Sequence, residues 1–175
     1  MRAVILAGGK GTRLKPYTAT LPKPLVPVGD KAILEIVIKQ LKKFGFDNIT
    51  IAVNHMAELI MAYFGDGSRW EVAIDYSIED TSLSTIGPLT LIDDLPENFL
   101  VMNGDILTDL NYQHLFNKHI ESKNLITVST YNRTTKIDFG VLDVEGDSNI
   151  IGFREKSEYD FEVSMGIYVI WSIYS

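Results

Sequence analysis

The feature that most constrains this chain is a short apolar segment that runs directly into a glycine-rich loop. Residues 3–7 (AVILA) are apolar and are followed by Gly8, Gly9 and Gly11. An apolar run that ends at glycines is typical of a central strand in a parallel sheet, where both faces of the strand are buried. Ligands of such sheets bind beyond the carboxyl ends of the strands, so the loop lies where a binding site is expected.

The loop has the chemistry of a phosphate-binding turn. Its three glycines let the backbone approach a ligand closely and direct N–H groups at phosphate oxygens. Thr12 adds a hydroxyl donor, and Arg13 adds a guanidinium that suits a pyrophosphate group. A P-loop would need Ser or Thr after its Gly-Lys pair, and the dinucleotide fingerprint would need glycine in place of Leu14. A tight turn without a ligand stays the alternative.

Helix-like and strand-like segments alternate along the rest of the chain. Helical spacing of apolar residues covers 33–44, 56–64 and 112–120, and Gly45 is the expected C-terminal cap of the first helix. A short helix is expected within 83–95. Strand patterns cover residues 49–53, 72–78, 99–102, 125–131, 140–144, 150–154 and 163–170. This alternation predicts an α/β fold with a right-handed, largely parallel sheet.

Composition narrows the class of protein. The 175 residues have room for one domain, and the absence of cysteine excludes disulfides and thiolate metal sites. With 23 acidic against 16 basic residues the net charge is −7, the opposite of what nucleic-acid binding requires. The absence of cysteine suits a reducing cytoplasm, which is the expected location. The apolar run at residues 3–7 is too short for a signal-peptide core or a membrane span, so no membrane partner is expected.

Five motifs together resemble the sugar-phosphate nucleotidylyltransferases, which are also called nucleoside-diphosphate-sugar pyrophosphorylases. The motifs are residues 6–14 (LAGGKGTRL), 22–28 (PKPLVPV), 103–105 (NGD), 153–156 (FREK) and 165–169 (MGIYV). Their combined order and spacing are specific, although no single motif is. The sequence of the second motif resembles the mannose-1-phosphate guanylyltransferase branch more than the thymidylyltransferases of glucose 1-phosphate.

The resemblance implies a fold, a reaction and a cofactor. The fold is a Rossmann-like three-layer α/β/α nucleotidyltransferase domain with a mostly parallel central sheet. In the family reaction, a phosphate oxygen of a sugar 1-phosphate attacks the α-phosphorus of a nucleoside triphosphate, and pyrophosphate leaves. Such chemistry depends on positioning and charge neutralisation, with Mg²⁺ as cofactor. Family members also form homo-oligomers.

The resemblance also assigns roles to residues of the nucleotide site. Arg13 faces the β- and γ-phosphates, and Glu79 and Gly87 fall where family members contact the base. Lys23 stabilises phosphate charge in the transition state, and the prolines on either side of it restrict its direction. The implied catalytic residues are Arg13, Lys23 and Asp105. The implied nucleotide-binding residues are Leu6, Ala7, Gly8, Gly9, Gly11, Thr12, Arg13, Glu79 and Gly87.

Asp105 and three later residues complete the implied site. Asp105 matches the family's acidic metal ligand, because a carboxylate just after a buried strand and a glycine can reach Mg²⁺ on the phosphates. Without the other motifs, a helix N-cap or turn aspartate would be the simpler interpretation. Lys156 is implied to bind the phosphate of the sugar, Glu155 its hydroxyls, and Gly166 lies near the sugar.

The chain departs from the family pattern in three places. Residues 83–88 (LSTIGP) replace a small-residue run that approaches the base or ribose, and Ser157 replaces a proline. Family domains continue beyond the position of Ser175 and supply a second acidic metal ligand there. The first departure leaves the nucleotide preference open. The third predicts a C-terminally truncated catalytic domain over residues 1–175, with weak or absent activity unless another chain supplies the missing part.

Other chemistries are less well supported by the residues. His55, His114 and His119 lack zinc-ligand spacing and are expected to be at the surface or partly buried. A non-catalytic nucleotide-sugar-binding regulatory protein on the same scaffold stays open. A glycosyltransferase would need an Asp-x-Asp metal motif, and the nearest match, Asp143-Val144-Glu145, falls in a late strand.

Overall fold

The structure of the protein is a computed structural model that describes residues 1–9, 11, 16–80, 83 and 86–172. The chain divides into two compact units, one made of Met1–Val128 with the segment from Gly166 onward, and one made of Ser129–Met165. None of the described helices is long and apolar enough to cross a membrane. The expectation of one catalytic domain over residues 1–175 stays a prediction.

The helices follow the sequence pattern closely, whereas two late strands are longer than predicted. The helices are α1 (Ile33–Lys43), α2 (Ala57–Phe64) and α3 (Tyr112–Ser122). The strands are β1 (Arg2–Leu6), β2 (Pro27–Val28), β3 (Lys31–Ala32), β4 (Asn48–Val53), β5 (Ala73–Ile78), β6 (Asn98–Asn103), β7 (Ile126–Lys136), β8 (Val141–Glu145), β9 (Asn149–Arg154) and β10 (Glu158–Trp171). Short 3-10 turns cover Tyr17–Ala19, Lys23–Leu25, Ser68–Trp70 and Gly87–Leu91.

Six strands form one mixed, mostly parallel sheet in the order β5-β4-β1-β6-β10-β7. β1 pairs in parallel with both β4 and β6, and β4 pairs in parallel with β5. β10 joins β6 in the antiparallel direction. The predicted α/β class with a mostly parallel central sheet is confirmed. The ribbon of β2 and β3 was not predicted, because two-residue strands carry too little pattern.

β1 is apolar throughout because both of its faces are covered. Ala3, Val4 and Ile5 have no exposed surface. On one face, Val4 belongs to a buried cluster that also contains Phe99 and Val101. The partly buried side chains that cover this cluster are Leu6, Leu89, Ile92, Leu95, Tyr168 and Ile170. Burial on both sides explains why residues 3–7 read as an uninterrupted apolar run.

Arg2 fixes part of the covering segment to the sheet. Its guanidinium donates to Thr50 Oγ1 at 2.8 Å and to the Asp94 carboxylate at 2.7 Å. The hydrogen bond from Arg2 holds the pKa of Asp94 below its ordinary value. The segment around Asp94 is therefore held to β1 and β4 by directional contacts as well as by apolar packing.

Helices α1 and α3 pack against each other next to the sheet. Tyr112 at the start of α3 donates its hydroxyl to Gln40 Oε1 of α1 at 3.2 Å. Phe46, just after α1, meets Phe116 of α3 edge to face with ring centroids 5.7 Å apart. Gly45 ends α1 with a φ of +82°, which confirms its predicted capping position. Burial raises the pKa of Tyr112 to about 12.

The second unit contains an antiparallel ribbon of β8 and β9. Within it, Arg154 donates to Asp143 Oδ1 at 2.6 Å, and Thr134 donates to Asp160 Oδ1 at 2.6 Å. Large apolar side chains of the ribbon, such as Ile151 and Phe153, are each 62% exposed. This unit is therefore stabilised mainly by strand pairing and polar contacts rather than by a buried core.

His119 is deeply buried, so the expectation of a surface or partly buried side chain is wrong for this residue. It is 1% exposed on the inner side of α3. Its Nδ1 lies 2.8 Å from Thr127 Oγ1, while Nε2 is buried without a hydrogen-bond partner among the described residues. Burial lowers the pKa of His119, because the charged imidazolium is disfavoured away from water.

We expect the buried histidine to make folding sensitive to acid. A histidine whose pKa is lowered on folding stabilises the protein above its unfolded pKa of about 6.5, and this contribution is lost as the pH falls through the folded pKa. The free energy of urea unfolding should fall between pH 7.5 and pH 5, and His119→Gln should remove part of that fall. His114→Gln, an exposed site on the same helix, is the matched control and should keep the wild-type slope. Equal slopes in all three proteins would contradict the assignment.

Candidate active site at the carboxyl edge of the sheet

The carboxyl ends of four parallel strands are joined by backbone hydrogen bonds just beyond the sheet. Ala7 after β1 donates to the Ala52 carbonyl of β4 at 2.8 Å. Gly104 after β6 donates to the Leu6 carbonyl at 2.9 Å. Glu79 after β5 donates to the Val53 carbonyl at 2.9 Å. The residues that follow these strands therefore share one edge, as the topology of a parallel sheet requires.

The three glycines of the loop after β1 have different surroundings. A Cβ atom at Gly8 would lie 2.9 Å from Glu79 Oε1 and 3.2 Å from Asn54 Cβ, so glycine leaves room for both side chains as they stand. Gly11 has a φ of +59°, and its Cβ would lie 2.8 Å from a methyl carbon of Thr18 and 3.2 Å from Lys23 Cβ. A Cβ at Gly9 would meet nothing within 4 Å. The loop is thus tightly packed at both ends and open at its middle.

Two predicted catalytic side chains meet beside this loop. Lys23 Nζ donates to Asp105 Oδ2 in an ion pair, and each side chain is about one third exposed, at 32% and 30%. Lys23 lies in the Lys23–Leu25 turn, which the flanking prolines favour, and Asp105 follows β6 by two residues. An exposed ion pair of this kind stabilises the fold by at most about 1 kcal/mol. The pair matters more for the site, because it brings a cation and a carboxylate together at the carboxyl edge of the sheet.

Glu79 lies on the other flank of the glycine loop. Its side chain is buried, with 7% exposure, and its Oε2 accepts a hydrogen bond from the Leu83 backbone at 3.1 Å. Asn54, the residue after β4, donates to the Glu79 carbonyl at 2.6 Å and fixes the backbone there. The Glu79 carboxylate is therefore held in place by the β4 and β5 ends and directed towards Gly8.

Gly166 and Gly87 are both closely packed. Gly166 in β10 has a φ of +74°, and its Cβ would lie 2.7 Å from the Asn103 amide nitrogen at the end of β6. Gly87 starts the turn Gly87–Leu91, and its Cβ would lie 2.5 Å from Leu83 Cβ. Gly166 thus lies next to the strand that carries Asp105, whereas Gly87 packs against its own loop.

The nucleotidyl transferase family model matches residues 2–172 of the chain. The chain belongs to this family. Its membership agrees with the glycine loop after β1, the mostly parallel sheet and the polar edge described above. The suspected relationship to sugar-phosphate nucleotidylyltransferases is also confirmed by the relatives that the chain resembles.

Two curated relatives show how far the similarity extends. The UTP–glucose-1-phosphate uridylyltransferase of Synechocystis sp. is 34% identical over 188 residues, which cover 97% of this chain and 48% of that protein. The D-glycero-alpha-D-manno-heptose 1-phosphate guanylyltransferase of Aneurinibacillus thermoaerophilus is 31% identical over 172 residues, which cover 97% of this chain and 74% of that protein. The chain thus spans about half of the first relative and about three quarters of the second.

A solved structure supports the same fold. HddC from Yersinia pseudotuberculosis, complexed with GMP-PN, superposes with a TM-score of 0.71 at 26% sequence identity. The match covers 97% of this chain and 76% of HddC. The nucleotidyl transferase fold is therefore shared over nearly the whole chain.

Four implied site residues cannot be placed at this edge from the described contacts. Thr12 and Arg13 lie outside the described residues. Glu155 and Lys156 belong to the unit Ser129–Met165, where they form a bend after β9. Within that unit, Lys156 has a φ of +48°, and a Cβ at Gly140 would lie 3.5 Å from Glu155 Oε2.

Two polar residues of the edge were missed by the sequence analysis. Thr18 is 4% exposed and donates its hydroxyl to the Gly11 carbonyl at 2.8 Å, which fixes the end of the glycine loop. No local pattern marks this residue, because its partner lies seven positions earlier in the sequence. Asn54 could have been found, because it is a polar residue directly after the buried strand β4.

The described residues contain no group of three or more His, Asp or Glu side chains that could hold a metal ion. Asp105 is therefore not part of such a group among the described residues. One or two carboxylates with substrate phosphates and water are a common ligand set for Mg²⁺ at nucleotide sites. The donor at this edge fits that arrangement, in which the substrate supplies the remaining oxygens.

We expect alanine at Gly11 to be much more disruptive than alanine at Gly9. The left-handed backbone at Gly11 costs a residue with a Cβ about 1–2 kcal/mol, and the contact with Thr18 adds to that cost. Gly11→Ala should therefore lower the free energy of urea unfolding by at least about 1 kcal/mol. Gly9→Ala, which adds a methyl group in open space, should lie within about 0.5 kcal/mol of wild type. Equal destabilisation by the two variants would show that the packing around Gly11 is not as described.

Proposed function

We propose that this chain transfers a nucleoside monophosphate from a nucleoside triphosphate to a sugar 1-phosphate, releasing pyrophosphate. The single observation that carries the proposal is the Lys23–Asp105 pair beside the glycine loop of a nucleotidyl transferase. It supplies a cation for phosphate and a carboxylate for a metal ion at the same edge. The relatives described above are named for sugar 1-phosphates, one of glucose and one of a heptose.

The backbone of the loop is suited to bind the triphosphate. Gly9 has open space around its Cα, and the Gly11 carbonyl is held by the Thr18 hydroxyl, so the backbone is accessible at Gly9 and fixed at Gly11. Bare N–H groups bind phosphate oxygens without bringing long side chains that would have to be ordered. In this proposal Leu6, Ala7, Gly8, Gly9, Gly11, Thr12 and Arg13 form the phosphate and nucleoside cradle.

Lys23 provides local positive charge in a chain whose net charge is negative. A net charge of −7 repels a nucleoside triphosphate at long range, so binding depends on cations at the site. Lys23 Nζ is close to Asp105 and partly exposed, and can therefore exchange a carboxylate contact for a phosphate oxygen. In the transition state it would stabilise the negative charge that builds on the phosphoryl oxygens. Arg13 is proposed to do the same for the departing pyrophosphate.

Asp105 is proposed as the protein ligand of Mg²⁺. When bound, the metal ion neutralises phosphate charge and polarises the phosphoryl oxygens. Asp105 positions its carboxylate through Gly104, whose N–H donates to the end of β1 at 2.9 Å. A Cβ at Gly104 would lie 3.1 Å from a methyl carbon of Ile5, so the close approach of this turn to β1 favours glycine.

The acceptor sugar 1-phosphate is proposed to bind near Gly166. Gly166 supports this location because it packs against Asn103, at the end of the strand that leads to Asp105. The roles of Lys156 on a sugar phosphate and of Glu155 on sugar hydroxyls stay predictions that rest on the resemblance alone. A cytoplasmic location and self-association also stay predictions for this chain.

Pyrophosphate release tests the reaction. The 175-residue protein is incubated for hours with each common nucleoside triphosphate, a panel of sugar 1-phosphates and Mg²⁺. We expect slow release of pyrophosphate and slow formation of a nucleotide sugar only when all three are present, and none after chelation with EDTA. Nucleotide binding without pyrophosphate release would favour a regulatory protein, and sugar transfer from a nucleotide sugar to an acceptor would favour a glycosyltransferase.

Nucleotide binding in the presence and absence of Mg²⁺ separates the roles of the paired residues. Asp105→Asn should remove most of the gain in triphosphate affinity that Mg²⁺ gives, because the metal loses its charged ligand. Lys23→Met should weaken triphosphate binding about tenfold with or without the metal. Asp109→Asn and Lys118→Met change exposed residues in the same way and should bind like wild type. Unchanged binding by both site variants would refute the proposed roles.

A further inference from the structure

A second concave site lies where residues 91–94 cover strands β4 and β5. It is a groove with a volume of about 330 Å³. Pockets for small ligands span roughly 300–1,000 Å³, so the groove has room for a small molecule. Its described lining shares no residue with the site around Lys23, Asp105 and Glu79. The groove is therefore considered as a site of its own.

Strand register places the polar side chains of β4 and β5 on the face of the sheet that carries Arg2 and Val4. Val4 pairs with Thr50, and Thr50 pairs with Asp75. Paired residues of neighbouring strands point to the same face, and so do residues two positions apart on one strand. Thr50, Asp75 and Ser77 therefore share this face, and all three line the groove together with Arg2.

Two buried hydroxyl groups in the groove differ in their contacts. Thr50 Oγ1 accepts hydrogen bonds from Arg2 Nε at 3.1 Å and from Arg2 Nη2 at 2.8 Å. Ser77 is only 8% exposed, and its Oγ is buried without a hydrogen-bond partner among the described residues. A buried polar group without a partner is costly. A ligand that donates a hydrogen bond to Ser77 would remove that cost.

The carboxylates of the groove are separated rather than gathered at one point. Arg2 compensates Asp94, because its Nη1 and Nη2 donate to the two carboxylate oxygens at 2.7 Å and 3.0 Å. Asp75 and Asp93 also line the groove, and neither forms an ion pair among the described residues. In the same part of the chain, no three acidic or histidine side chains lie close enough to hold a metal ion. Two separated negative charges suit a ligand with two separated positive charges.

We propose that this groove binds a small aliphatic diamine, which has an ammonium group at each end and methylene groups between them. One ammonium group pairs with Asp75 and donates to Ser77 Oγ, and the other pairs with Asp93. The methylene groups pack against Leu91 and Ile92, which form the apolar part of the lining. The net charge of −7 attracts such a cation at long range. The inference goes beyond the proposed function and does not depend on it.

The first test varies the ligand. Aliphatic diamines of three to six carbons are titrated into the 175-residue protein by calorimetry, in an amine-free buffer at low salt and without nucleotide. We expect the best diamine to bind about fivefold more tightly than the monoamine of the same length, because one ion pair is lost. The diol of that length should show no binding, and the affinity for the diamine should fall as salt is added.

The second test changes the groove. Asp75→Asn and Asp93→Asn should each lower the affinity for the diamine about fivefold and bring it close to the affinity for the monoamine. Asp147→Asn removes the same charge from an exposed residue in the turn between β8 and β9, and it should bind like wild type. Ser77→Ala should also weaken diamine binding about fivefold. Without ligand it should not lower the free energy of urea unfolding, because the removed hydroxyl has no described partner.

The outcomes separate binding in the groove from a general attraction of cations to an acidic chain. Backbone amide signals of residues 75–77 and 91–94 should shift on addition of the diamine, and shifts confined to other residues would overturn the inference. Equal affinities for the diamine and the monoamine, or equal losses in Asp75→Asn and Asp147→Asn, would also overturn it. So would the absence of binding by every diamine. Release of pyrophosphate, or its absence, tests the proposed function alone.

Discussion

The parallel pairing of β1 with β4 on one side and β6 on the other is the constraint on which the rest of the first unit depends. Parallel strands end at the same edge, so the residues after β1, β4 and β6 are gathered there regardless of their separation in sequence. The backbone bonds from Ala7 and Gly104 extend this pairing beyond the strands. Each polar side chain of the edge is positioned by that frame rather than by its own loop alone.

Close packing at this edge explains why glycine is needed at particular positions. Gly8 makes room for the Glu79 carboxylate, and Gly11 adopts a left-handed backbone against Thr18. The middle glycine, Gly9, is unrestricted by neighbours. Gly8 and Gly11 are thus closely packed, whereas the backbone at Gly9 is accessible, and the proposed phosphate site makes use of this combination.

The charged side chains at the carboxyl edge of the sheet form a local pattern that the net charge of the chain does not reveal. Lys23 and Asp105 compensate each other on the β6 side of the loop, while Glu79 on the other side lies buried beside Gly8, without an ion pair among the described residues. The proposed function uses this asymmetry, because the anionic end of a nucleotide is proposed to lie on the Lys23 side of the loop and its base on the Glu79 side.

The sequence by itself determined the α/β class, the three helices and the glycine loop, because apolar spacing and glycine positions are local properties of the chain. Through its motifs the sequence also implied catalytic roles for Lys23 and Asp105, which stay predictions, but it did not indicate that the two side chains are in contact. Only the tertiary structure decided which residues meet: Thr18 with Gly11, Glu79 with Gly8, and the burial of His119. These contacts join segments that no short-range pattern relates, since they arise from the order in which strands pair and from the packing of α3 beside the sheet.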